Sequence, residues 1–203
     1  MANVSFNPGL MTGAQNTFFV DTQGYIQGLT LQDWVSRGHL ESGNVASGVT
    51  QPIWGGMGIL VDTNDAAANN NRMGPSISPA STTQINGFTV FDQNIAMVQT
   101  PGNTAPIVTS SVAFYRFTSK ARVPLPIAAG TLADFENVNI DTPLYWDTAN
   151  YCLTTTSSST TVALPSTVSL WSVNPANSKV VSYDSTTGAV SWSYGQPAAV
   201  IVL

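Results

Sequence analysis

From residue 53 onward the chain is divided into short, strand-length apolar runs separated by turn residues, and this spacing limits its folds more than any other feature. The runs fall at 53–61, 87–99, 107–119, 144–154 and 168–173. Two more, at 179–183 and 189–194, flank Asp184-Ser185-Thr186-Thr187-Gly188, whose closing glycine marks a hairpin loop. The second arm alternates, with Val190, Trp192 and Tyr194 on one face and Ala189, Ser191 and Ser193 on the other. The last run, 198–203, is apolar to its end and predicts a strand paired into a sheet. Such strand density predicts a mainly β fold, a single β-sandwich or partly open β-barrel.

The first fifty residues read differently. Asn7-Pro8-Gly9, Thr12-Gly13 and Gln23-Gly24 break both helical and strand periodicity, and Phe18-Phe19-Val20 is the main apolar cluster. One short helix is predicted next: Thr30 caps, Asp33 follows three residues on, Leu31, Trp34 and Val35 share a face, and Gly38 stops it. The organisation expected is an extended N-terminal arm with a short helix over 1–50 and a β domain over 51–203. Within the β domain, Gly55, Gly56 and Gly58 interrupt an apolar run and signal a bulge or a close backbone approach. Residues 62–79, with Asn69-Asn70-Asn71, read as a polar surface loop, and the eight consecutive Ser/Thr residues at 154–161 as a mobile one.

Charge removes several functions. Six Lys and Arg against eleven Asp and Glu give a net charge of −5, and charged residues are only 8% of the chain. That leaves no basic footprint for a phosphate backbone, so nucleic-acid binding is not expected. No apolar run approaches the roughly 18 residues that span a bilayer. Residues 1–25 lack Lys and Arg, the charge that opens a secretory signal, so synthesis in a cytoplasm is expected.

Catalytic constellations are equally thin. His39, the single histidine, follows the Gly38 stop, and no G-x-S-x-G elbow accompanies it. Cys152 is the one cysteine; between Tyr151 and Leu153 on a predicted strand it reads as a small core hydrophobe, and one His with one distant Cys makes no zinc site. Asp134, Glu136, Asp141 and Asp147 lie within fourteen residues. Glycoside hydrolysis needs two carboxylates about 5–9 Å apart. Asp134 and Glu136 would share a strand face, whereas Asp141-Thr142-Pro143 and Asp147-Thr148-Ala149-Asn150 carry turn chemistry. Asp62, Asn64 and Asp65 fail the calcium-loop spacing, because Ala66 stands where the third oxygen belongs. The five tryptophans suit core, interface or a sugar platform. No catalytic, cofactor or metal residue is assigned, and the chain reads as a binding or assembly subunit.

Particular stretches are familiar. Gln51-Pro52-Ile53-Trp54-Gly55-Gly56-Met57-Gly58-Ile59, after Arg37-Gly38-His39-Leu40-Glu41-Ser42-Gly43, resembles the N-terminal half of tailed-bacteriophage head cement, or decoration, proteins. Pro143-Leu144-Tyr145-Trp146-Asp147 is similar to a strand and turn of that family's β body, and residues 177–183 and 195–203 are similar to the ending of such proteins. The resemblance covers about half the chain in pieces and rests on turn and glycine patterns. It implies a non-enzymatic virion protein without cofactor, on the capsid exterior, bridging major capsid protein subunits as a homo-oligomer at local symmetry axes. Phe18, Phe19, Tyr25 and Trp54 are the expected partner-interface residues, since an arm too poor in apolar surface to fold alone can order against a partner. The competing expectations are a carbohydrate-binding β module of a phage tail or fibre, and a small glycosidase using the 134–147 carboxylates.

Overall fold

The structure, a computed structural model, describes residues 24–31, 38–63, 74–91 and 111–203. Five short strands, β1 (Glu41–Val45), β2 (Gly58–Asp62), β3 (Ser76–Pro79), β4 (Gly87–Thr89) and β5 (Ser111–Arg116), close into a barrel in the order β1-β3-β2-β4-β5. All neighbours are antiparallel except β1 and β3. Closure leaves the barrel no edge strand. β6 (Arg122–Pro126) belongs to a second sheet with two long strands, β10 (Ser169–Asp184) and β11 (Ala189–Val202), in the order β10-β11-β6. A third sheet, β8-β7-β9, is built from β7 (Tyr145–Asp147), β8 (Cys152–Thr154) and β9 (Thr161–Ala163).

Period-2 alternation makes β5 a wall between two apolar clusters. Val112 and Phe114 enter the cluster of Ile53, Trp54, Met57, Ile59 and Ile77, while Ala113 and Tyr115 enter that of Phe88, Trp146, Leu153 and Ile201. The β10–β11 hairpin joins them. Leu170, Ala199 and Ile201 from its base serve one cluster, and Val181, Tyr183, Val190 and Trp192 from its far half serve the other. Full burial of a side chain of Val, Leu or Phe size stabilises by roughly 1.5–3 kcal/mol, so both clusters hold the hairpin down.

Residues 24–31 tie the chain's beginning to this sheet. Tyr25 and Gln27 exchange backbone bonds with Lys179 of β10 at 2.7 and 2.9 Å, and the Gly28 and Leu31 amides donate to Pro124 and Arg122 of β6 at 2.9 and 3.0 Å. Those β6 carbonyls point away from β11, so the missing Pro124 N–H falls on the side where no ladder bond is lost.

Several expectations need correction. The run 144–154 is two strands, β7 and β8, folded back at the Asp147 turn. Residues 62–79 contain β3, and β1, β6 and β9 were not anticipated. The runs 168–173 and 179–183 are one strand, β10, continued through bulges between Asn174 and Val180. Asp134 and Glu136 are not on a strand: Asp134 ends a single 3-10 turn, Leu132–Asp134, and both side chains are exposed. The loop at 154–161 closes on its own hydroxyls, with the Ser158 amide donating to Thr161 Oγ1 at 2.8 Å and the Thr156 amide to Thr154 Oγ1 at 3.1 Å. The helix expected near Thr30–Gly38 lies largely at 32–37, outside the described residues, as do Phe18 and Phe19.

Candidate functional site

Two surface features collect the side chains that sequence reasoning singled out, together with several it passed over. The first is a groove of mixed polar and apolar lining. The Leu132–Asp134 turn buries Phe135 and leads into a loop whose Ile140 carbonyl accepts from the Leu170 amide at 2.9 Å. That bond holds the loop beside the start of β10 and leaves Ile140 60% and Trp171 47% exposed along a shallow groove of about 410 Å³. The Arg122 guanidinium lies 4.6 Å from the Trp171 ring centroid, which fixes the indole by cation–π attraction.

The second is a cleft of about 330 Å³ between the β7–β8 turn and the far half of the hairpin. Asp147 organises the turn that forms one wall: its Oδ1 accepts from the Ala149 and Asn150 amides at 2.9 and 3.2 Å, and its Oδ2 from Asn150 Nδ2 at 2.7 Å. The turn ends in Tyr151, held at φ 54°, a left-handed conformation that bulky residues rarely adopt. The Tyr151 ring thereby meets Trp54 edge-on at 5.1 Å and Tyr183 at 5.9 Å, while Tyr183 lies tilted on Trp54 at 5.2 Å. The Tyr151 hydroxyl donates to Gln51 Oε1 at 3.1 Å. Asp184 organises the hairpin loop beside the other wall, where Thr186 and Thr187 amides and the Thr187 hydroxyl donate to its carboxylate and Gly188 turns at φ 71°.

Trp54 is placed by the glycine run. The buried Thr89 hydroxyl donates to the Trp54 carbonyl at 2.5 Å and accepts from the Met57 amide at 2.9 Å. Gly56 turns at φ 79°, and a Cβ on Gly58 would stand 2.6 Å from Trp146 Nε1. Of the bulge or close approach expected of these glycines, the structure shows the close approach, and it adds a turn at Gly56.

Electrostatics around the cleft follow from these contacts. Burial would raise the Asp147 carboxyl, but hydrogen bonds from Asn150, the Ala149 and Asn150 amides and Thr160 outweigh it and hold it below the usual carboxylate range. The Thr187 hydroxyl and Thr186 amide lower Asp184 likewise. Burial raises the Tyr151 phenol, against the opposing Gln51 bond. Burial, with the Asp147 charge nearby, pushes the Cys152 thiol up to about 12, so this thiol is a packed core group as expected. Behind the hairpin, Lys179 is 6% exposed with its Nζ 4.5 Å from the Trp192 ring and 5.2 Å from Tyr194, and desolvation lowers it to about 8.

Of the expected interface residues, Tyr25 is half-buried, its hydroxyl 2.8 Å from Ser172 Oγ, and Trp54 is 1% exposed beneath the cleft. Asp134, Glu136 and Asp141 are exposed, and Asp147 is engaged in its turn. Among the described residues no group of three His, Cys, Asp or Glu stands in metal-binding proximity. Sequence reasoning missed Tyr151, Tyr183 and Ile140. The Asp-x-x-Asn turn signal was present for Tyr151, but nothing local marks which aromatic rings meet across 30 to 130 residues of chain.

Fold and site together define a mainly β protein built on a closed five-stranded barrel with a long hairpin packed across it. Compared with protein-family models, curated proteins and solved structures, the chain matches none of them.

Proposed function

We propose that this chain is a structural virion protein that binds the outside of a phage head and bridges neighbouring major capsid protein subunits as a homo-oligomer. The observation that carries the reading is the groove along which Ile140 and Trp171 stand 60% and 47% exposed. A large aromatic pinned by a cation and seated beside an aliphatic side chain has the character of a protein-binding hot spot. Residues 1–23 supply the second attachment. Residues 24–31 are bonded to both β10 and β6, so the segment before them, with Phe18 and Phe19, starts from a fixed point on the sheet. Two linked contacts on a lattice convert modest affinities into slow release, which is what bridging requires. The low charge of the chain suits a surface that meets a capsid rather than nucleic acid.

The test is cosedimentation of the purified chain with expanded heads that lack it, followed by cryo-EM of the particles. Density bridging capsid subunits at repeated symmetry positions is the expected result. Trp171→Ser with Ile140→Ser, and separately removal of residues 1–23, should each weaken binding by roughly tenfold or more, the effect of about 1.4 kcal/mol. Wild-type chain that stays in the supernatant at micromolar concentration would overturn the reading.

A further inference from the structure

We propose that the cleft between the β7–β8 turn and the β10–β11 hairpin is a binding site for a neutral sugar of one or two pyranose rings. Its volume of about 330 Å³ lies in the range of small-ligand sites. Turns close it on two sides, so it suits a compact ring more than an extended peptide. The lining is the chemistry that recognises a pyranose. Tyr151 and Tyr183 supply aromatic surface for its C–H face, and Asn150, Ser182, Ser193 and Gln196 supply amide and hydroxyl partners for its hydroxyls.

Among the described residues no charged side chain lines the cleft. Asp147 and Asp184 stand just behind its two walls, both held in the ionised form by their own turns. Their negative potential selects against carboxylated or phosphorylated sugars. The rings are set in advance: Tyr151 is locked by its left-handed backbone and by contacts with Trp54 and Tyr183, which also touch each other, so little side-chain freedom remains to be lost on binding.

The experiment is saturation-transfer NMR on the full chain with the methyl glycosides of glucose, galactose, mannose and N-acetylglucosamine, and N-acetylneuraminic acid as the anionic probe. Saturation of the ring protons of at least one neutral glycoside is expected, with no transfer to the anionic sugar. Ser193→Trp, which fills the cleft, should reduce the affinity at least about tenfold, and Tyr183→Ala should do the same. Ser185→Trp, on the exposed hairpin loop, replaces Ser193→Trp where that variant lowers the melting temperature. No transfer to any neutral glycoside at millimolar concentration overturns the proposal, as does transfer that persists unchanged in the filled-cleft variant or binding of the anionic sugar alone. Capsid attachment is read by sedimentation, so either proposal can fail without the other.

Discussion

Thr89 and Gly58 both support the turn that follows Trp54. The Thr89 hydroxyl satisfies one buried carbonyl and one buried amide at once. Replacing it by valine keeps the shape and strands both groups, at a cost of about 1–3 kcal/mol; a lower urea midpoint with unchanged m-value is the expected result. Gly58→Ala places a methyl group 2.6 Å from Trp146 Nε1 and 2.8 Å from Ile85 Cδ1, and overpacking of this kind costs about 1–3 kcal/mol. Its melting temperature should fall accordingly. Lys179 makes a pH prediction. Its folded pKa, near 8, lies below the roughly 10.4 of an unfolded lysine. The unfolded chain therefore binds more protons between those values, and stability rises as pH climbs from about 8 toward 10.4. The Cys152 thiol, pushed up to about 12, acts in the opposite sense above about pH 9, so the Lys179 contribution is read as a difference: the melting temperature of the wild type should gain on that of Lys179→Met as pH rises from about 8 to about 10.

The hairpin was the most legible element, and its turn works as the composition predicts. Asp184 accepts three hydrogen bonds from Thr186 and Thr187, and Gly188 takes the left-handed position. Asp184→Ala should speed amide exchange at Thr186, Thr187 and Gly188 and leave the amides of Val200 and Ile201 protected. The Asp147 turn was legible too, from Asp and Asn three residues apart. What escaped was strand identity where local signals conflict. β6 carries two prolines, which normally argue against a strand. It is a strand because β11 pairs it on one side while Gly28 and Leu31 need only its carbonyls on the other. The same tertiary partner explains how β10 continues through the Asn174–Ser178 irregularity: eleven registered pairs with β11 lie on the two sides of it.

Across the whole molecule, the hairpin spans both apolar clusters and β5 divides them, so neither cluster keeps its packing when the other opens. Circular dichroism and tryptophan fluorescence should therefore melt together in a single transition, with Trp54 reporting one cluster and Trp146 the other. Two separated transitions would show that the barrel and the hairpin sheet unfold independently. The mainly β class, the hairpin, the close approach at Gly55–Gly58 and the burial of Cys152 were determined by the sequence alone, because each depends on the period of side chains or the conformational freedom of one or two residues. Barrel closure, the parallel pairing of β1 with β3, the merging of the C-terminal runs and the meeting of Trp54, Tyr151 and Tyr183 were decided only in three dimensions. These are contacts between residues far apart in the chain, selected by which buried surfaces fit together, and no local pattern records that choice.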